Sequence, residues 1–227
     1  MLILKSKQSK EYSKMRLNVG KNSLWVCYSL LNPSIMNYLI PPHLEIARVS
    51  PLKGIPAQEM LLFNAYELKS RWMNGARLDI QTFARDKESG SAHLVVLDVL
   101  SNTRSWDPLN GITPANCIVN IEDAHGVDLK FEGETKKFSV VANNKETRSI
   151  DYTFCVEANK KCFFKNFKKG FELNFQDEEI MQSVTELKDV QISNSCWEEF
   201  RGEVITVFKH NQPMKFDVVK LNPFEFM

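Results

Sequence analysis

Apolar and polar positions alternate with a period of two along most of this chain after its first twenty or so residues. In Arg77-Leu78-Asp79-Ile80-Gln81-Thr82-Phe83, the residues Arg77, Asp79, Gln81 and Phe83 fall on one face and Leu78, Ile80 and Thr82 on the other. Successive side chains of a strand point to opposite sides, so this pattern marks a strand. The same reasoning predicts strands over 24–28, 44–50, 59–69, 77–85, 92–99, 115–122, 127–132, 137–143, 148–157, 171–176, 184–192, 202–209 and 214–221. The polar run Asp86-Lys87-Glu88-Ser89-Gly90-Ser91 is a turn that joins 77–85 and 92–99 as a hairpin. Asp123-Ala124-His125-Gly126, Asn143-Asn144 and Asn211-Gln212-Pro213 punctuate the later strands.

Helical signals are few. Asn32-Pro33-Ser34 opens a short amphipathic helix over 33–40, which Pro41-Pro42 stops. Stretches 105–110 and 177–182 are the other helical candidates. Many short strands with few helices predict a mainly β, α+β domain of sandwich or barrel type. No repeat, low-complexity segment or linker divides the chain, so residues 1–20 are read as an N-terminal extension and 21–227 as one domain.

Composition narrows the partners. With 29 basic and 28 acidic side chains the formal net charge is +1, which supplies no global field for nucleic acid or an anionic membrane. No apolar stretch reaches the roughly 7–15 residues of a secretory signal or the about 20 of a spanning helix. Five scattered cysteines, Cys27, Cys117, Cys155, Cys162 and Cys196, contain no Cys-x-x-Cys pair. They read as reduced thiols of a cytoplasmic protein. The histidines at 43, 93, 125 and 210 form no metal-binding spacing, and no Gly-x-Gly phosphate loop occurs, so no metal and no cofactor are expected. Segment 160–171 mixes five lysines with four phenylalanines. It reads either as a surface for single-stranded nucleic acid or, more plainly, as a strand or loop with buried rings and solvated lysines. The expected partner is a small molecule, without nucleic acid or membrane, and self-association stays open.

Two segments carry a family likeness. Trp25 to Val49 runs strand, short helix and then Ile40-Pro41-Pro42-His43-Leu44-Glu45-Ile46; Gly75 to Phe83 followed by Ser91 to Asp98 forms paired strands that end in Leu97-Asp98. Together they resemble the acetoacetate decarboxylase-like superfamily, including its uncharacterised bacterial branch. The resemblance implies an antiparallel β-barrel or cone whose paired strands line a cavity. It also implies an imine-forming lysine, in a pair of adjacent lysines, shortly after the Leu-Asp signature. The comparable stretch here, Asn110 to Ile118, contains none, and no lysine lies between Lys87 and Lys130. Imine decarboxylation at that position is therefore excluded. The family's acidic residue would fall near Arg77 or Asp79, and its N-terminal arginine near Lys21 or Asn22.

The expected site rests on the polar residues of the hairpin and the loop after it. If one face of the hairpin lines the cavity, Arg77 binds a carboxylate through its planar fork, Asp79 orients it and His93 moves protons. An arginine buried there needs a partner: Asp79, an acid on a neighbouring strand, or an anionic ligand. Gln81, Asp98, Arg104, Trp106 and Asn116 are the further candidates for ligand contact. Each also has a plainer role. The 77–83 polar face can be solvated, His93 a core or rim residue, Asp98 a loop anchor and Trp106 a cap on the core. Lys53 reads as a solvated turn lysine and Cys117 as structural. Two functions follow: a protein that binds, or transforms without an imine, a carbonyl- or carboxylate-bearing molecule, or a lipocalin-like carrier of an apolar ligand.

Overall fold

The computed structural model describes residues 15–19, 23–69, 74–103, 112–122, 126–149, 161–165, 171–175, 183–211 and 214–219. Fourteen strands follow in order: β1 (Met15–Val19), β2 (Leu24–Leu30), β3 (Leu44–Ile46), β4 (Met60–Lys69), β5 (Asn74–Asp86), β6 (Ala92–Ser101), β7 (Ile112–Glu122), β8 (Gly126–Gly133), β9 (Lys137–Ser149), β10 (Lys161–Phe164), β11 (Phe171–Phe175), β12 (Ser183–Asn194), β13 (Arg201–His210) and β14 (Met214–Val219). A short helix α1 (Pro33–Met36) and a 3-10 turn at Glu198–Phe200 complete the described elements. No helix among the described residues is long and apolar enough to cross a membrane.

Nine strands close a barrel in the order β2-β4-β5-β6-β7-β8-β9-β12-β13 and back to β2. Neighbours run antiparallel except β6 and β7. Two of these strands branch. β4 pairs with β2 along Met60–Ala65 and with β1 at Leu68 and Lys69. β6 pairs with β10 at Leu94–Val96 and with β7 at Val99–Ser101. The strands β1, β14, β11 and β10 thus form a strap from the far end of β4 to the near half of β6. It closes a second circuit over the outward face of β4, β5 and β6. Met15–Val19, within the stretch expected as an extension, is part of this strap.

Two apolar clusters lie on the opposite faces of the shared wall. The lumen cluster draws on every strand of the ring, from Val26 on β2 round to Val207 on β13. Phe63 on β4 stacks on Phe138 of β9 with ring centroids 5.3 Å apart, and Tyr28 meets Phe63 edge-on at 5.3 Å. β4 and β9 stand on opposite sides of the ring, so these rings fill the lumen at that level. The second cluster contains Trp25, Leu62, Tyr66, Leu68, Phe83, Val96, Val99 and Cys162, beneath the strap.

Local chemistry explains the boundaries. Asp86 Oδ1 accepts from the Glu88 and Ser89 amides at 3.0 and 2.8 Å, and Gly90 takes φ +71°, which closes the expected β5–β6 turn. Those bonds, the Ser89 amide first, hold the Asp86 carboxyl below its ordinary range. The helix predicted over 33–40 stops at Met36 and continues as turns closed by Tyr38 and Leu39 amides on Ile35 and Met36 carbonyls. Pro41 causes this: its ring excludes the carbonyl four residues back and turns Ile40 out of the helical region. The expected break at Asn143-Asn144 does not occur, because β9 runs on to Ser149 against β12. The helical candidates 105–110 and 177–182 lie outside the described residues.

Candidate functional site

A bulge in β6 turns Asp98 away from the face of Asp79 and Gln81. Gln81 pairs with Val96 and Ile80 with Asp98, so one extra residue enters β6 at Leu97. Before the bulge, His93 and Val95 face the lumen side; after it, Val99 faces the strap. On β5 the expected alternation holds, and Arg77, Asp79, Gln81 and Phe83 all turn under the strap.

There they are buried rather than solvated. Arg77 Nε donates to Asp79 Oδ1 at 2.5 Å, and the two side chains are 11% and 6% exposed. Tyr66 Oη, from the position on β4 opposite Arg77, donates to Asp79 Oδ2 at 2.8 Å. Gln81 Nε2 approaches the same oxygen at 3.4 Å. Asn64 sits directly opposite Asp79 on β4 and is buried as well. The result is one carboxylate accepting from three side chains within apolar surroundings. Burial pulls the Arg77 guanidinium down, but the negative Asp79 and the hydrogen bond to it more than offset this and hold the cation firmly protonated. Burial, then the negative Asp79, pushes the Tyr66 phenol well up, so Tyr66 is a neutral donor.

The remaining candidates lie elsewhere. His93 turns to the other face of the hairpin, where its ring packs 5.4 Å from Phe163, which also meets His43. It does not converge with Arg77. Asp98 bonds Lys136 Nζ and accepts from Trp197 Nε1 at 3.1 Å, tying β6 to the β8–β9 connection and to the residues before β13. These partners are side chains of other segments, not the backbone amides of the loop after β6. Asn116 is exposed on the outer face of β7, away from the Arg77 cluster. Cys117 beside it turns inward, and burial pushes its thiol up to about 11, so it carries no thiolate character at neutral pH. Lys53 is exposed in its turn. Arg104 and Trp106 lie outside the described residues.

Sequence reasoning missed Tyr66 and Asn64. Their signal was present: Asn64 interrupts the apolar run Met60-Leu61-Leu62-Phe63, and asparagine is depleted in strand interiors. It also missed a rung of buried groups that extends the same face. Glu186, Phe208, Trp25, Asn64 and Asp79 occupy successive register positions across β12, β13, β2, β4 and β5. Glu186 accepts from Thr206 Oγ1 at 3.0 Å, and Trp25 stacks on Phe208 at 6.1 Å. Lys209, in the strand expected over 202–209, is buried on the lumen face of β13.

His210 lies on the Phe208 face of β13, opposite to Lys209, among the rings of Trp25 and Phe208. Burial lowers its pKa from 6.5 to about 4. The unfolded chain therefore binds a proton across this window that the folded protein refuses, and stability falls as pH drops from about 6.5 to about 4. At about 1.4 kcal/mol per unit, the loss attributable to His210 approaches about 3 kcal/mol. Urea titrations at pH 7 and pH 4 should show His210→Phe much less acid-sensitive than the wild type. Equal acid sensitivity would mean that His210 is already solvated.

Among the described residues no group of three or more histidine, cysteine or acidic side chains is placed to hold a metal ion. No family model and no curated protein matches the sequence. Solved structures match in fold. An acetoacetate decarboxylase-like enzyme from Sphingomonas wittichii RW1 superposes with a TM-score of 0.58 at 10% identity over 91% of both chains. Acetoacetate decarboxylase from Legionella pneumophila gives 0.54 at 10% identity, covering 92% of this chain and 89% of that one. The enduracididine biosynthesis enzyme MppR with HEPES buffer bound gives 0.57 at 9% identity, covering 91% and 86%. Likeness at such low identity is a likeness of fold.

Proposed function

Proceeding from a chain with the acetoacetate decarboxylase-like fold, we propose that it binds a small carbonyl- or carboxylate-bearing molecule beneath the strap, at the Arg77–Asp79–Tyr66 cluster. The observation that carries this reading is a buried, hydrogen-bonded ion pair set in an otherwise apolar cluster. Burying charge is expensive, and replacing such a pair by apolar residues often costs nothing in stability. A few convergent polar groups in apolar surroundings are what a small-molecule site requires. The Asp79 contact uses Nε, one of the five donors of the guanidinium, whose planar fork suits a carboxylate. The absence of lysine from 88–129 argues against an imine on that stretch. The rival reading, an apolar ligand carried in the barrel, has the Phe63–Phe138 stack across the lumen against it.

The test is calorimetric titration with 4-methyl-2-oxopentanoate and its methyl ester, against wild type and Arg77→Lys. Lysine keeps a cation for Asp79 but lacks the fork. The free acid should bind the wild type, bind the variant about tenfold more weakly, and outcompete the ester. Borohydride added to the complex should trap no adduct within 88–129. Equal affinity for acid and ester, unaffected by the substitution, would sink the proposal.

A further inference from the structure

We infer that the ligand of the Arg77 cluster carries a hydroxyl or amine donor on the carbon beside its carboxylate, so that 2-hydroxy and 2-amino acids fit better than 2-oxo acids. The inference rests on the binding reading above and names its ligand class. It comes from two carbonyl groups on the same face. Gln81 is 4% exposed and Asn64 7% exposed, and neither Gln81 Oε1 nor Asn64 Oδ1 has a hydrogen-bond partner among the described residues. Buried acceptors are rarely left so.

The orientation of Gln81 is fixed by chemistry. Its Nε2 faces the Asp79 carboxylate, and turning the amide over would set two acceptors against each other. Oε1 therefore presents a lone pair away from Asp79. Asn64 opposes Asp79, which makes it the diagonal neighbour of Gln81. Diagonal positions on paired strands lie about 7–8 Å apart, within reach of long side chains. Along β5 the order is cation, carboxylate, carbonyl: Arg77, Asp79, Gln81. A carboxylate with a donor on the next carbon matches that order, acid end at Arg77 and donor at the two carbonyls. A 2-oxo acid would place its ketone oxygen against Gln81 Oε1, acceptor to acceptor. Leu62, Phe83, Val96 and Val99 in the same cluster suit an apolar tail.

The experiment titrates three acids of one skeleton, 4-methyl-2-oxopentanoate, 4-methyl-2-hydroxypentanoate and leucine, into wild type, Gln81→Met and Asn64→Leu. The hydroxy or amino acid should bind wild type at least about tenfold tighter than the oxo acid. Each variant, checked for native fold by circular dichroism, should lose that preference by weakening the donor-bearing acid alone. Equal affinities for all three acids in the wild type would overturn the donor requirement, with water as the partner of the two carbonyls, and leave the Arg77 site standing. Failure of all three to bind would remove the Arg77 reading and this inference together. A preference retained in both variants would overturn the assignment to Gln81 and Asn64.

Discussion

Arg77→Met should destabilise the protein by about 3–5 kcal/mol, the cost of leaving a buried charge without its partner. Methionine retains much of the apolar stem, so packing changes little and the loss is electrostatic. Asp79 then remains as a buried carboxylate, with the Tyr66 hydroxyl and the distant Gln81 amide as its side-chain donors among the described residues. The double variant Arg77→Met with Asp79→Leu removes both charges and should recover most of the loss, because the pair itself contributes little net stability. Urea denaturation at pH 7 of both variants decides the matter. A shift under about 1 kcal/mol for Arg77→Met would place the pair in solvent. No recovery in the double variant would mean that the packing around the stem, not the charge, had been damaged.

Phe63→Ala should cost a similar amount, about 3–5 kcal/mol, for a different reason. Phe63 is fully buried and stacks on Phe138 from the facing wall of the barrel. Truncation removes the buried ring and leaves a void that a closed ring of nine strands cannot collapse into. An apolar cavity of that kind stays dry and accepts benzene-sized molecules. The variant should therefore bind benzene, and be stabilised by it, where the wild type does not. Equal benzene binding by both proteins would show an open lumen and restore the carrier reading.

Much of the architecture was legible because strand periodicity is local. The run 77–83 declared its two faces, and the turn Asp86–Ser91 declared the hairpin, through residue types that act within a few positions of one another. The fold itself followed from the many short strands and from the likeness of Trp25–Val49 and Gly75–Asp98 to the acetoacetate decarboxylase-like superfamily. β10 was harder to separate from a loop: Lys161–Phe164 is short, and only pairing with β6 and β11 makes it a strand. The helix over 33–40 was placed well at its start and too long at its end, since the reach of Pro41 back into the preceding turn had been underweighted.

The site divides along the same line. Period two alone put Arg77, Asp79 and Gln81 on a common face, and the need to pair a buried arginine named Asp79 among its partners. Whether that face met water or the interior depended on the strap, whose strands come from residues 15–19, 161–164, 171–175 and 214–219, far away in sequence. For His93 the pattern favoured a core or rim residue over a proton-transfer group facing Arg77. The register that pairs His93 with Ala84, opposite in face to Arg77, decides that it faces away. Tyr66 bonds Asp79 and Asn64 stands opposite it only because β4 pairs with β5 in one register, and a slip of one residue would have turned both to the lumen. Side-chain alternation is a property of the chain, so the sequence determined it. Which face is inside depends on which strands meet, and only the tertiary structure decided that.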